Sequence, residues 1–275
     1  MIAVIAGEGN LPKVIIKNFY KKKVNFFLIN LCKKKIINKK NIYNLNITQI
    51  SKILNLLKKN NCKEVILAGK VSRPNIENFK LDYQAIKLLP EIIFHLKKGD
   101  SYVLDFVINL LKKNKINVIS CLKYLPEITA DKFTCPIKIS NKEMADIKKG
   151  TKLLNHINSN FDVGQSVVIN NGFVVGIEAA EGTDLMLNKI IPIQKKINKG
   201  SLSGVLIKIP KKIQDIRVDI PTIGLRTIQN CLKAGLRGIA LKKNENIFLD
   251  QEKSLKLIKQ NNFFIKVINW KKKYL

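Results

Sequence analysis

Apolar residues follow two rhythms along the chain. Ile2–Ala6, Val24–Asn30, Val65–Ala68 and Asn117–Cys121 are short, continuous apolar runs, the pattern of strands buried on both faces. Between them, residues 11–20, Ile47–Asn60, Tyr83–Lys97 and Ser101–Lys113 space their apolar positions for helices. Alternating strands and helices predict a parallel sheet covered on both sides. The stretch 122–141, with Pro126 and Pro136, has no period and is the expected junction, which gives domains 1–134 and 135–275. The second half reads differently. A helix is expected over Lys142–Ile157. Gln165–Asn170 and Phe173–Glu178 flank Asn171-Gly172, a pair that tolerates the positive φ of a type I′ hairpin turn. A strand at Val205–Ile209, a helix at Thr227–Lys233 closed by Gly235, a helix over 251–260 and a strand at Phe263–Ile268 complete a mixed α/β domain.

Charge is the loudest feature of the composition. The 275 residues include 50 Lys and Arg against 20 Asp and Glu, a formal net charge of +30. With 46% hydrophobic residues the chain can build real cores, so a disordered polycation is excluded. Apolar runs are far shorter than the roughly 20 residues of a bilayer span. All but four of the cations are lysine, whereas a surface that reads bases would favour the planar fork of arginine. Most of the charge therefore reads as a solvated surface, with a secondary attraction to polyanions such as an anionic membrane. Five scattered cysteines, odd in number and without Cys-x-x-Cys spacing, and a first apolar run without the form of a leader, point to a cytosolic protein with reduced thiols.

Candidate chemistry gathers in a few places. Gly7-Glu8-Gly9 after the first strand resembles the opening of a dinucleotide-binding turn, but the third position of that pattern is Pro12 and Glu8 would repel a phosphate. Glu178, Glu181, Asp184, Asp215 and Asp219 concentrate the scarce acids. Thr183 or Asp184 suits a helix cap, and equally a sugar hydroxyl or a divalent cation at a strand-to-helix turn. In an extended segment Arg217 and Asp219 share a face, either as a surface ion pair or as a phosphate grip beside a metal- or water-holding carboxylate. Three of the four arginines (Arg217, Arg226, Arg237) fall in one span, and Arg73 follows a strand's carboxyl end, where open α/β sheets bind ligands. His95 and His156 are isolated and fit no zinc spacing. Trp270 and Lys271–Lys273 read as a tail.

Taken together and in order, six blocks resemble the UDP-2,3-diacylglucosamine pyrophosphatases of the LpxI type. They are Ile5-Ala6-Gly7-x-Gly9-x-Leu11-Pro12, Ala68-Gly69-x-Val71-Ser72-Arg73-Pro74, Lys98-Gly99-Asp100, Val163-Gly164-Gln165-x-Val167-Val168, Glu178-Ala179-x-Glu181-Gly182-Thr183-Asp184 and Arg217-Val218-Asp219-x-Pro221-Thr222-Ile223-Gly224. The resemblance implies a Rossmann-like parallel-sheet N-terminal domain, a distinct C-terminal α/β domain and a ligand cleft between them. It implies Mg²⁺-dependent hydrolysis of UDP-2,3-diacylglucosamine to UMP and 2,3-diacylglucosamine 1-phosphate (lipid X), a cytoplasmic step of lipid A synthesis at the inner-membrane surface of Gram-negative bacteria. A homodimer is in keeping with the family.

Asp219 is the catalytic residue that the resemblance carries over. The further assignments are our own inference from residue chemistry. Arg217 and Lys208 would meet phosphate charge, and Glu181, Gly182, Thr183 and Asp184 the sugar. Gly9, Leu11, Gly69, Ser72, Arg73, Gln165 and Thr222 would line the substrate, with Asp219 and Asp184 as metal ligands. Three positions depart from the family pattern: Glu8, Lys70 and Asp215. Two other readings stay open, a nucleotide-dependent oxidoreductase built on the Gly7/Gly9 turn and a basic nucleic-acid-binding protein.

Overall fold

A computed structural model of the chain describes residues 1–32, 41–71, 81–161, 163–198, 200–211 and 215–269. They form two compact units, Met1–Leu125 and Pro126–Leu275. The N-terminal unit contains β1 (Ile2–Ala6), α1 (Asn10–Lys21), β2 (Phe26–Asn30), β3 (Ile42–Asn44), α2 (Ile50–Lys59), β4 (Glu64–Ala68), α3 (Tyr83–Lys98), α4 (Asp100–Lys113) and β5 (Asn117–Val118). Its sheet runs in the order β3-β2-β1-β4-β5 with every pair parallel. The switch in order between β1 and β4 is that of the doubly wound fold. β2 is buried at every position and β1 at all but one, as a sheet covered on both faces requires. The short strand β3 was not evident from apolar pattern, because only three residues pair.

In the C-terminal unit follow α5 (Asn141–Asn160), β6 (Ser166–Asn170), β7 (Phe173–Ile177), α6 (Thr183–Asn198), β8 (Val205–Lys208), β9 (Thr222–Ile223), α7 (Leu225–Lys233), β10 (Gly238–Lys242), β11 (Ile247–Phe248), α8 (Gln251–Gln260) and β12 (Phe264–Ile268). The main sheet is ordered β12-β10-β8-β6-β7, parallel from β12 to β8 and antiparallel from β8 to β7. Strand alternation divides its residues between two cores. Val167, Ile169, Val205 and Ile207 pack with Ile147 and Leu154 of α5. Val168 and Leu206 pack with Met186, Leu187, Ile228 and Ile258 of α6, α7 and α8. The same parity puts Ser166 and Lys208 on the α6 side.

Local chemistry fixes the ends of these elements. Ser140 and Glu143 form a reciprocal capping box on α5. Asn171 and Gly172 both have positive φ, as the hairpin requires, and both donate their N–H groups to the buried carboxylate of Asp146. Beneath the sheet, the Asn170 amide donates to Gln194 Oε1 (2.6 Å) and Asn198 Oδ1 (2.7 Å) and accepts from Ser203 Oγ (2.7 Å), so a buried polar side chain is satisfied.

The two compact units divide between Leu125 and Pro126. Residues 126–132, which have no periodicity, are tied to the C-terminal unit by side-chain hydrogen bonds. The buried Asn246 accepts from the Ala130 N–H (2.7 Å) and donates to Asp131 (3.0 Å) and to the Lys242 carbonyl (2.8 Å). Gln251 donates to the Thr129 carbonyl. Among the described residues no helix is long and apolar enough to cross a membrane. The expected tail from Trp270 lies outside the described residues.

Asn246→Ala should lower stability by about 2 kcal/mol, since it strands the buried Ala130 N–H without an acceptor. Urea unfolding of the two proteins measures this. An unchanged midpoint would show that the segment is not held this way.

Candidate active site

Three strand ends meet at one margin of the C-terminal sheet. Ser166 opens β6, Lys208 closes β8, and the two are direct partners in the antiparallel register. Glu178 follows β7, and its N–H donates to the Ser166 carbonyl (2.9 Å). Gly164 makes this approach feasible, because a Cβ there would collide with the backbone and Cβ of Glu178. Next, Ala179–Gly182 turns the chain into α6, with Gly182 at φ +82 and its carbonyl accepting from the Met186 N–H. The first helical residue, Thr183, thereby faces the strand ends.

Four side chains join there. Lys208, only 8% exposed, donates to Thr183 Oγ1 (2.7 Å). The Thr183 hydroxyl donates to Glu178 Oε2 (3.0 Å), and Ser166 Oγ bonds the same carboxylate oxygen. Thr183 is therefore a link between the lysine and the carboxylate. The expectation of Thr183 as a possible helix cap gives way, because its hydroxyl turns to these partners.

Asp219 lies on a separate turn, where its N–H donates to the Asp215 carbonyl (3.1 Å). The Gln165 side-chain amide reaches Asp219 Oδ2 (3.0 Å), so the residue before β6 seats the carboxylate. Burial raises the Asp219 pKa above the ordinary carboxylate value. The Gln165 hydrogen bond and the charges of Lys211 and Lys208 act the other way, while Glu178 adds to the rise. Gln165, Ser166, Glu178, Thr183, Lys208 and Asp219 thus form one electrostatic neighbourhood. Ser166 and Glu178 were not among the expected substrate-binding residues. Glu178 was visible as part of the acidic block, and the parity of β6 relative to Val168 was the available signal for Ser166.

Other expected residues have different surroundings. Glu181 pairs with Lys189 (3.1 Å); its own backbone N–H and that lysine hold its pKa down. Asp184 accepts from Asn230 (2.8 Å) and pairs with the exposed Arg226 (3.2 Å). Arg217 donates through Nε to Asp215 Oδ1 (2.9 Å), which lowers the Asp215 pKa and raises that of Arg217. Arg217 thus forms an ion pair with Asp215. Thr222 Oγ1 donates back to the Ile220 carbonyl (2.9 Å). Arg237 bonds the Asn262 carbonyl and lies 3.8 Å from Glu143, in a structural role. Among the described residues no group of three or more His, Cys, Asp and Glu could hold a metal ion.

In the N-terminal unit, the Gly7 and Glu8 N–H groups donate to the carbonyls of Ala68 and Lys70 (both 2.8 Å). Two amides of the glycine turn are thus engaged with the end of β4. Gly69, at φ +88, packs so tightly that a Cβ would meet Glu8 O at 2.6 Å. Glu8 and Lys70, two of the departures from the family pattern, are partners in this bridge. Gly9 precedes α1 with open space where a Cβ would lie, and Leu11 is partly buried in the first turn. Ser72 and Arg73 lie outside the described residues.

Fold and site define a two-unit α/β protein, with a Rossmann-ordered N-terminal sheet and a carboxylate–lysine site on its C-terminal sheet. The model of the LpxI N-terminal domain matches residues 1–128 and that of the LpxI C-terminal domain matches 131–266, so the chain belongs to the LpxI family. It is 34% identical over 209 residues to a Caulobacter vibrioides protein named UDP-2,3-diacylglucosamine pyrophosphatase LpxI, a match covering 75% of this chain and 74% of that one.

Asp219→Asn should raise the melting temperature at neutral pH, measured calorimetrically with a chelator present. A carboxyl whose folded pKa lies above its unfolded value binds more protons when folded. Its ionisation therefore costs stability as pH rises from about 3.8 through the raised value. The gain should vanish below that window; a variant less stable than wild type at pH 7 would contradict the burial argument.

Proposed function

We propose that the chain hydrolyses the pyrophosphate of UDP-2,3-diacylglucosamine, giving UMP and 2,3-diacylglucosamine 1-phosphate, at the membrane surface in lipid A synthesis. The observation that carries this reading is the match to a named pyrophosphatase over 75% of the chain. The chain also carries a partly buried carboxylate, Asp219, near Lys208 and Lys211.

Hydrolysis adds the hydroxide of water to one phosphorus, breaks its bond to the bridging oxygen, and leaves that oxygen on the other phosphate, with the water's remaining proton passing to that phosphate or to solvent. The barrier is mainly electrostatic, because negative charge is concentrated on the phosphates in the transition state. Lys208 supplies an ammonium oriented by Thr183, and Lys211 adds a second positive charge near the carboxylate. Asp219, held by Gln165, orients the water or the cation. Mg²⁺ fits this donor set: it commonly uses one or two carboxylates completed by substrate phosphates and water, and Asp219 is a carboxylate whose burial penalises its charge. When bound there, the ion would neutralise phosphate charge. Glu178, bonded by Ser166 and Thr183, holds the hydroxyl that orients Lys208 and is a positioning residue.

Purified protein with the lipid nucleotide and Mg²⁺ should release UMP, and chelation should abolish release until Mg²⁺ is restored. Asp219→Ala should lower kcat by at least about 10²-fold, the scale of losing one transition-state contact. Lack of UMP from the wild type would overturn the reaction; equal release from both would remove Asp219 from its role.

A further inference from the structure

Helix α3 has apolar residues on both faces. Ala85 is buried on its inner side, where Leu88, Leu89, Ile92 and Leu96 are partly buried. On the opposite side Tyr83 is 76%, Ile86 58%, Phe94 55% and Ile93 39% exposed, and Pro90 is exposed between them. At 3.6 residues per turn these five positions fall in one arc of about 100°. Lys97 lies within the arc, and Lys87 and Lys98 border it. The Lys98 Nζ stands 4.2 Å from the Phe94 ring and 5.7 Å from that of Tyr102, an exposed residue of α4. Glu91 is the one acidic residue in the helix.

A helix that is apolar all round is normally covered on both sides. We propose that this face of α3, together with Tyr102, docks on an anionic lipid surface. Aromatic and aliphatic side chains suit the boundary between headgroups and acyl chains, while lysine stems reach past them to lipid phosphates. Charge selects this occupant over a second copy of the chain. Pairing two such faces would bring Lys87, Lys97 and Lys98 of both copies together, on proteins each carrying +30. The inference rests on the membrane-surface part of the function proposed above, and vesicle binding tests it separately from UMP release.

The full-length chain tests it by co-sedimentation with vesicles of phosphatidylcholine alone or mixed with phosphatidylglycerol. Wild type should bind the mixed vesicles and not the neutral ones. The triple substitution Ile86→Ser, Ile93→Ser and Phe94→Ser keeps every charge and should weaken binding about tenfold or more. Lys148→Gln with Lys152→Gln, on exposed positions of α5, should leave it unchanged. Because the triple variant could misfold, Phe94→Trp in a Trp270→Phe background gives a second readout, a blue shift in its emission on adding mixed vesicles. The proposal is overturned if wild type does not bind, if the triple variant binds as wild type, or if the α5 pair weakens binding as much. It is also overturned if the emission does not shift, or if the triple variant changes only the oligomeric state, which would assign the face to a second copy.

Discussion

A buried lysine ammonium is the constraint on which the site depends. Lys208 ends a core strand on the side of the sheet that α6 covers, where only 8% of it is exposed. A charge in that position is costly unless polar groups answer it. Thr183 does so at the first residue of α6, and Glu178 answers Thr183 from the end of β7. Strand register, the Gly164 close approach and the Gly182 turn all serve to bring these groups to one point.

Asp219 is placed at the opposite end of the same electrostatic argument. Lys208 and Lys211 favour its ionised form, yet burial opposes it and Glu178 adds like charge. The carboxylate is thus held in an environment that does not fully compensate it. Such a group lowers the stability of the fold at neutral pH, a cost that functional sites commonly carry.

How far each feature was legible in the sequence follows from the distance over which its cause acts. The Asn171-Gly172 turn depends on adjacent residues and was read directly, whereas the equally local Ser140–Glu143 capping box was not. Arg217 and Asp219 share an extended-chain spacing, but a turn at Asp215–Asp219 gives the arginine to Asp215. Glu181 drew attention over Glu178, although Glu178 is the residue that continues a core strand into the site. Spacing alone could not separate two carboxylates three positions apart. The hold on residues 126–132 was equally invisible, because it comes from Asn246 and Gln251, more than a hundred positions away.

The amino-acid sequence by itself determined the parallel N-terminal sheet, the hairpin and the family, since periodicity, turn chemistry and ordered motifs are properties of neighbouring residues. It also assigned most of the +30 to background lysine. Only the tertiary structure decided that Lys208 is buried, that Thr183 links it to Glu178, and that Gln165 holds Asp219. Those contacts join strand ends and turns across the chain, and burial, which sets the charge balance of the site, is a property of the packed whole.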